Sequence, residues 1–235
     1  MIKKTISIEI QGENKEIYLG FDDLKISIKY LKEKYNLQDN DDLINLFLTL
    51  ISKLERQYSP STIQIFNSEF VISPEHIITA FYHTYKAFNN KINISNQKNI
   101  EFLLYLSTKR QISNALNYFG IKIEDIDQDS SINIGYFIAS YENNVNLIKR
   151  RIIEKLNAIE GISLITEKSL TKLQKIINFF NISINQLEIY FHSHEKEFIS
   201  DNFLENNNLN DLYNICLEII LEKMVLLSLE KVSIE

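Results

Sequence analysis

Residues 100–121 read IEFLLYLSTKRQISNALNYFGI. Ile100, Phe102, Leu103, Leu104, Tyr105 and Leu106 are apolar nearly all round, which predicts a buried helix rather than an amphipathic one. Ser107 and Thr108 interrupt the run. Thr108 and Gln111 then stand at capping-box spacing, in which a hydroxyl accepts the third amide and the Gln side chain reaches back to the cap. Ile112, Ala115, Leu116 and Phe119 follow at helical spacing, and Gly120 stands where a helix C-cap belongs. So placed, Lys109 and Arg110 lie in the first turn of a second helix, where cations oppose the macrodipole. An arrangement that costs local stability there points to a use elsewhere.

Working outward, Ile6, Ile8 and Ile10 alternate with polar residues, and Ile17 and Leu19 follow a polar break, the pattern of a β-hairpin. Residues 22–58 are helical in pattern: Leu24, Ile28 and Leu31, a polar link, then Leu43, Leu46, Phe47, Leu50, Ile51 and Leu54, with Asp41 placed to cap the second helix. Ser59-Pro60-Ser61 is the best internal boundary. Residues 62–66 and 70–72 read as short strands, and Ser73-Pro74 starts a helix carrying Ile77, Ile78, Phe81, Tyr85 and Phe88 inward.

Beyond Gly120 the chain is acidic and loose over 124–131, and Ile132, Ile134, Tyr136 and Ile138 then alternate as a strand. A helix over 143–158 ends near Gly161, and residues 162–165 read as another strand. Helices follow over 169–181 and from Ser183, which opens a capping box with Gln186. An Asn-rich loop precedes a long last helix over 209–230. Strands interleaved with helices indicate a mixed α/β (α+β) fold, a mostly antiparallel sheet covered by helices in a single domain.

Composition narrows the function. The 235 residues are long enough to bury a real core, and 45% hydrophobic with 24% charged content is ordinary for a globular protein. Five Gly and two Pro are too few for an all-β chain rich in tight turns. A net charge of -6 argues against indiscriminate nucleic-acid binding, so any RNA contact must come from a local patch. One cysteine, Cys216, excludes an internal disulfide and suits a reducing, cytoplasmic compartment. No apolar run approaches the ~18 residues of a membrane span, and Lys3 and Lys4 are followed by no continuous apolar core of a signal peptide.

The string quoted first resembles the signature of the kinase-binding subunit of the KEOPS (EKC) complex, the PRPK-binding protein (TPRKB-like) family. Glu101, Leu103, Leu104, Ser107, Arg110, Gln111, Ile112, Ala115 and Gly120 stand in register with it. Thr108 occupies the place of the family's Gly; it is a poor substitute if a positive φ is needed there and a good one as an N-cap. The likeness extends over roughly 62–231, through IQIFNSEFVISPEHIITAFYHTYKAF and the closing Leu221-Glu222-Lys223-Met224 segment. It implies a core over 60–235, preceded by a hairpin and helical extension over 1–59. It also implies a partner, the small atypical kinase of the complex, and a role in holding the single-stranded 3′ end of a transfer RNA for threonylcarbamoyladenosine synthesis.

No catalytic motif stands up: there is no phosphate-binding Gly loop, G-x-S-x-G, paired C-x-x-C or H-E-x-x-H. The chain therefore reads as a non-enzyme without cofactor or metal. His192 and His194, with Glu195, Glu197 and Asp201 near, are the one metal-like string, but histidines two apart face the same way only on a strand. His76 and His83 share a helix face and read as packing residues. Glu101 is the one charge inside an apolar helix and needs a partner if buried, for which Arg110 is a candidate.

The RNA-side candidates are Lys109, Arg110 and Gln111, with Lys86 and Lys91 flanking in sequence beside Lys98, and Tyr82, Tyr85 and Tyr118 as stacking platforms. The last helix has more apolar positions than one buried stripe requires, which makes Leu221, Met224 and Leu227 the kinase-side candidates; the alternative is a plain core helix. Two other readings stand beside the RNA-holding subunit. One is a kinase-binding regulatory scaffold that has lost RNA binding with the family's Gly; the other is a metal-dependent enzyme using His192 and His194.

Overall fold

Alternating isoleucines at the start of the chain pair as expected. In the computed structural model, which describes residues 1–10, 13–121, 131–161 and 163–232, β1 (Ile2–Ile10) and β2 (Glu13–Ser27) form an antiparallel hairpin. β3 (Ser61–Phe66) and β4 (Ser131–Ser140) complete the sheet in the order β1-β2-β4-β3, and the two-residue β5 (Ile159–Glu160) pairs with Leu24 and Lys25 of β2 where β1 has ended. All of these pairings are antiparallel. With the helices below, the described residues have a mixed α/β fold with an antiparallel sheet.

The described residues divide into two compact units, one built from Met1–Ser68 and Phe119–Ser163, the other from residues 69–118 and 164 onward. The Ser59-Pro60 pair, with its cis peptide bond, lies inside the first unit rather than at its edge.

In the first unit β2 runs six residues, 22–27, into the segment whose spacing predicts helix. Leu24, Ile28 and Leu31 satisfy helical spacing, but Leu24, Ile26 and Ile28 equally satisfy the period of a strand, and a full register against β4 decides for the strand. Ser27 ends it and caps α1 (Ile28–Tyr35), its side chain accepting the Tyr30 N–H. α2 (Asn40–Gln57) is capped by Asp39, not Asp41: the Asp39 carboxylate accepts the Asp42 N–H at 2.9 Å, and Asp42 in turn accepts the Gln38 N–H at 2.7 Å.

One sheet face, from Leu24, Ile26, Ile63, Ile65, Ile134, Tyr136 and Ile138, packs with Leu31, Phe47, Leu50 and Ile51 of α1 and α2. It also packs with Ile148, Ile152 and Leu156 of α6 (Val145–Leu156). Gly135 is required by close approach, since a Cβ there would lie 2.8 Å from the buried Phe66 ring. On edge strand β3, the outward Ile63 N–H is taken by Glu55 of α2 at 2.9 Å and the Ile65 carbonyl by the Gln64 side chain at 2.7 Å, which blunts the open edge.

The second unit is helical. α3 (Pro74–Asn89) starts as predicted, with the Ser73 side chain accepting the His76 N–H. α3 packs on α4 (Lys98–Ser107), and both pack against α10 (Leu209–Val232). α7 (Leu170–Phe180), α8 (Ile184–Ser193) and the one-turn α9 (Phe203–Asn206) also pack on α10. The Ser183–Gln186 capping box is present. α5 (Ile112–Phe119) lies between α4 and β4 in the chain. Residues 70–72 form no strand: Phe70 joins a ring cluster and Val71 and Ile72 are buried ahead of α3. The acidic stretch 124–130 and Ile162 lie outside the described residues, and 163–165 form no strand, 164–166 being a turn.

Candidate nucleic-acid and partner-binding sites

The strongest local feature of residues 100–121 is how α4 ends. Thr108 adopts φ 54° and ψ 28°, the left-handed region. Its N–H bonds the Tyr105 carbonyl at 3.0 Å, and the Lys109 N–H bonds the Leu104 carbonyl at 3.1 Å. These two bonds form a Schellman stop, the position at which helices favour Gly. Thr108 therefore terminates α4 and does not cap α5, which begins only at Ile112. The predicted capping box is not formed. Lys109, Arg110 and Gln111 form an open connection, so they are not in a helical first turn opposing a dipole.

That connection lies over aromatic rings. The Lys109 ammonium is 5.2 Å from the Phe179 ring centroid. Phe179 packs against Phe70 at 5.0 Å and Tyr118 at 4.6 Å, and Phe70 meets Tyr118 edge-on at 5.8 Å. Tyr118 is 41% exposed, whereas Phe179 is buried. Arg110 and Gln111 are exposed, and the Gln111 side chain accepts from Asn114 at 2.9 Å. Lys175, one turn before Phe179, pairs with Glu69 beside Phe70. The result is one cation, Lys109, above a partly exposed aromatic floor, with exposed Arg110 next to it in the chain, a combination that suits phosphates and unstacked bases together.

The other predicted RNA-side residues are not brought to this place. His76, at the start of α3, joins the last turn of α4 through its Nε2 to the Leu106 carbonyl at 2.9 Å, and its Nδ1 receives the Ile72 N–H at 3.4 Å. The loop after α4 thus lies beside the start of α3, and about 15 Å of helix separates His76 from Lys86. Lys86, 5.3 Å from the Tyr82 ring, and exposed Lys91 are at the far end of the α3–α4 pair, as is Lys98 over Tyr85 and Phe88. Burial first, then the Lys172 charge, pulls the His76 pKa down to about 4 against the opposing Leu106 hydrogen bond.

Glu101 is fully buried, and its carboxylate accepts the Ile94 N–H at 3.0 Å and the Ser95 N–H at 2.8 Å. Two backbone donors thus compensate its burial. On α10, Met224 and Leu227 are buried in the helical unit and Leu221 is half-buried. They pack the core, and the surplus apolar face is instead Val225, Leu226 and Leu229, 44%, 49% and 57% exposed, in line with the exposed Glu218 and Glu222. Helical period alone separates the two sets, but which set faces inward depends on packing that spacing does not reveal.

His192 turns towards Glu188 at 3.8 Å, while His194 turns towards Glu218 at 3.3 Å. The two rings therefore serve different carboxylates, and among the described residues no cluster of three or more His, Cys, Asp or Glu side chains is placed to hold a metal ion. Burial pushes the Cys216 thiol up to about 12, which disfavours its thiolate.

The chain matches the family of kinase binding protein CGI-121 over residues 21–227. It belongs to that family. A comparison with individually curated proteins gave no match. Membership in this kinase-binding family makes a protein–protein contact part of the chain's function, and the match spans both compact units, from β2 to the exposed ridge of α10. Among the described residues no helix is long and apolar enough to cross a membrane.

Proposed function

We propose that the chain is a non-catalytic, cytoplasmic accessory subunit of the KEOPS complex. In this reading it binds the small atypical kinase of the complex and holds the single-stranded 3′ CCA end of a transfer RNA during threonylcarbamoyladenosine synthesis. The observation that supports the RNA half best is the connection after α4, where Lys109 stands over Phe179, itself packed with Phe70 and Tyr118, beside exposed Arg110 at a helix end stopped by a left-handed Thr108. The kinase half is supported by the family and by the Val225, Leu226 and Leu229 ridge, since lasting interfaces have apolar centres.

A transfer RNA with its terminal CCA is expected to bind at least tenfold more tightly than the same RNA without it, at one fixed salt concentration. Equal affinity for the two would leave the chain as a kinase-binding scaffold with no hold on the RNA end.

A further inference from the structure

A second basic surface lies wholly within the sheet-bearing unit, on α1, the end of α2 and α6. α6 buries Val145, Ile148, Ile152 and Leu156, which leaves Arg150, Arg151, Glu154 and Lys155 exposed along its other side. Its last carbonyls are met by α1: the Lys34 ammonium donates to the Glu154 and Lys155 carbonyls at 3.5 and 3.4 Å, and the Tyr35 hydroxyl donates to the Lys155 carbonyl at 2.7 Å. The same Lys34 ammonium stands 5.4 Å from the Tyr30 ring centroid and 5.1 Å from that of Tyr35. On the neighbouring side the hydroxyl of Tyr58, the C-cap of α2, raises the Arg151 pKa, ahead of Glu154.

Cations and tyrosines are therefore gathered on neighbouring elements: Tyr30, Lys34 and Tyr35 of α1, Arg151 and Lys155 of α6, and Tyr58 at the end of α2. Glu154, 3.0 Å from Arg151, offsets one of these charges, and Glu33 of α1 is also exposed. Capping of α6 accounts for Lys34 and Tyr35. It does not account for Arg151 and Lys155 projecting from the helix, nor for Tyr30 left 38% exposed.

On a chain of net charge -6 a cluster of this kind is a departure from the whole, and rings and cations together match an RNA strand, which offers both phosphates and bases. A lipid surface would call for apolar side chains to insert, and on α6 the exposed one is Leu147.

We propose that this face is a second RNA contact, taking the sugar–phosphate backbone of an RNA whose 3′ end is held elsewhere on the chain. The proposal rests on the reading of the chain as an RNA-holding subunit. It adds to that reading affinity without base sequence, because phosphate contacts position a strand and do not read it.

The test uses a full-length transfer RNA transcript with and without its CCA end, titrated between 50 and 200 mM salt. The proteins are wild type, the Arg151→Gln/Lys155→Gln double variant and Arg110→Ala. Both substituted side chains of the double variant are exposed, and an unchanged thermal midpoint confirms its fold. Each lost phosphate contact removes about 0.7–0.9 from the slope of log affinity against log salt, so the double variant is expected to lose roughly 1.5 on both RNAs. A wild-type slope on both overturns the proposal, even where Arg110→Ala weakens the CCA-ended RNA and so upholds the loop. Failure of wild type to bind either RNA overturns both readings. Binding to phosphatidylserine vesicles that the double variant loses, with RNA affinity unchanged, overturns the proposal in favour of a membrane surface.

Discussion

A β-branched residue in the left-handed region is held there by its surroundings and not by its own preference. For Thr108 the surroundings are the two Schellman bonds and the buried Leu104, Tyr105 and Leu106 that anchor the helix end. Relieving the strain gains more than the extra chain entropy of Gly takes away, so Thr108→Gly is expected to raise stability by about 1 kcal/mol, read as a higher urea midpoint. No change, or a loss, would mean that the Thr side chain contributes something that the φ angle conceals.

His76 makes the second residue-scale prediction. Its folded pKa of about 4 lies below the ordinary 6.5, so the unfolded chain binds the proton first as pH falls. His76 thus contributes its full stabilising share above about pH 6.5, and loses it progressively on the way down to pH 4. About 2 kcal/mol should be gone by pH 5. In His76→Gln the part of the pH dependence between 6.5 and 4 should disappear; an unchanged profile would place that titration on other groups.

At the scale of elements, much of the order was legible, because periodicity and caps are local. The hairpin, the Ser73-Pro74 start of α3, the capping box of α8 and the long α10 follow from spacing alone. Three kinds of boundary were not. Helices α1, α6 and α7 stop on left-handed Asn36, Asn157 and Asn181, so in a chain with five Gly the stop signals are written in an abundant residue that is easily read as composition. β2 outruns its expected end because a strand partner distant in sequence overrode a local helical spacing.

Thr108 fits a start pattern and serves as a stop, since the pattern carries no φ angle. The candidate loop was found by its charges together with the family resemblance, but its floor was not: Phe70 and Phe179 are over a hundred positions apart, and nothing local marks them as neighbours. On α10 two of the kinase-side candidates, Met224 and Leu227, are buried, and the exposed apolar ridge is Val225, Leu226 and Leu229. The exposed ridge predicts that Leu226→Glu leaves the thermal midpoint within a degree or two and reduces co-purification with the kinase at least tenfold. Undiminished co-purification would move the kinase to another face.

For the whole molecule, the comparison of charge with placement matters most. A chain of net charge -6 gains nothing from general attraction to RNA, so in the proposed reading recognition rests on a few cations set near rings, as Lys109 is over Phe179. The family match covers both compact units.

The most direct measurement is a double cycle at fixed salt: wild type and Arg110→Ala, each with a transfer RNA that carries or lacks its CCA end. The loop reading predicts that Arg110→Ala weakens the CCA-ended RNA about tenfold and leaves the truncated RNA unchanged, a coupling of about 1.4 kcal/mol between that side chain and that end. Equal losses on both RNAs, or none on either, would contradict it.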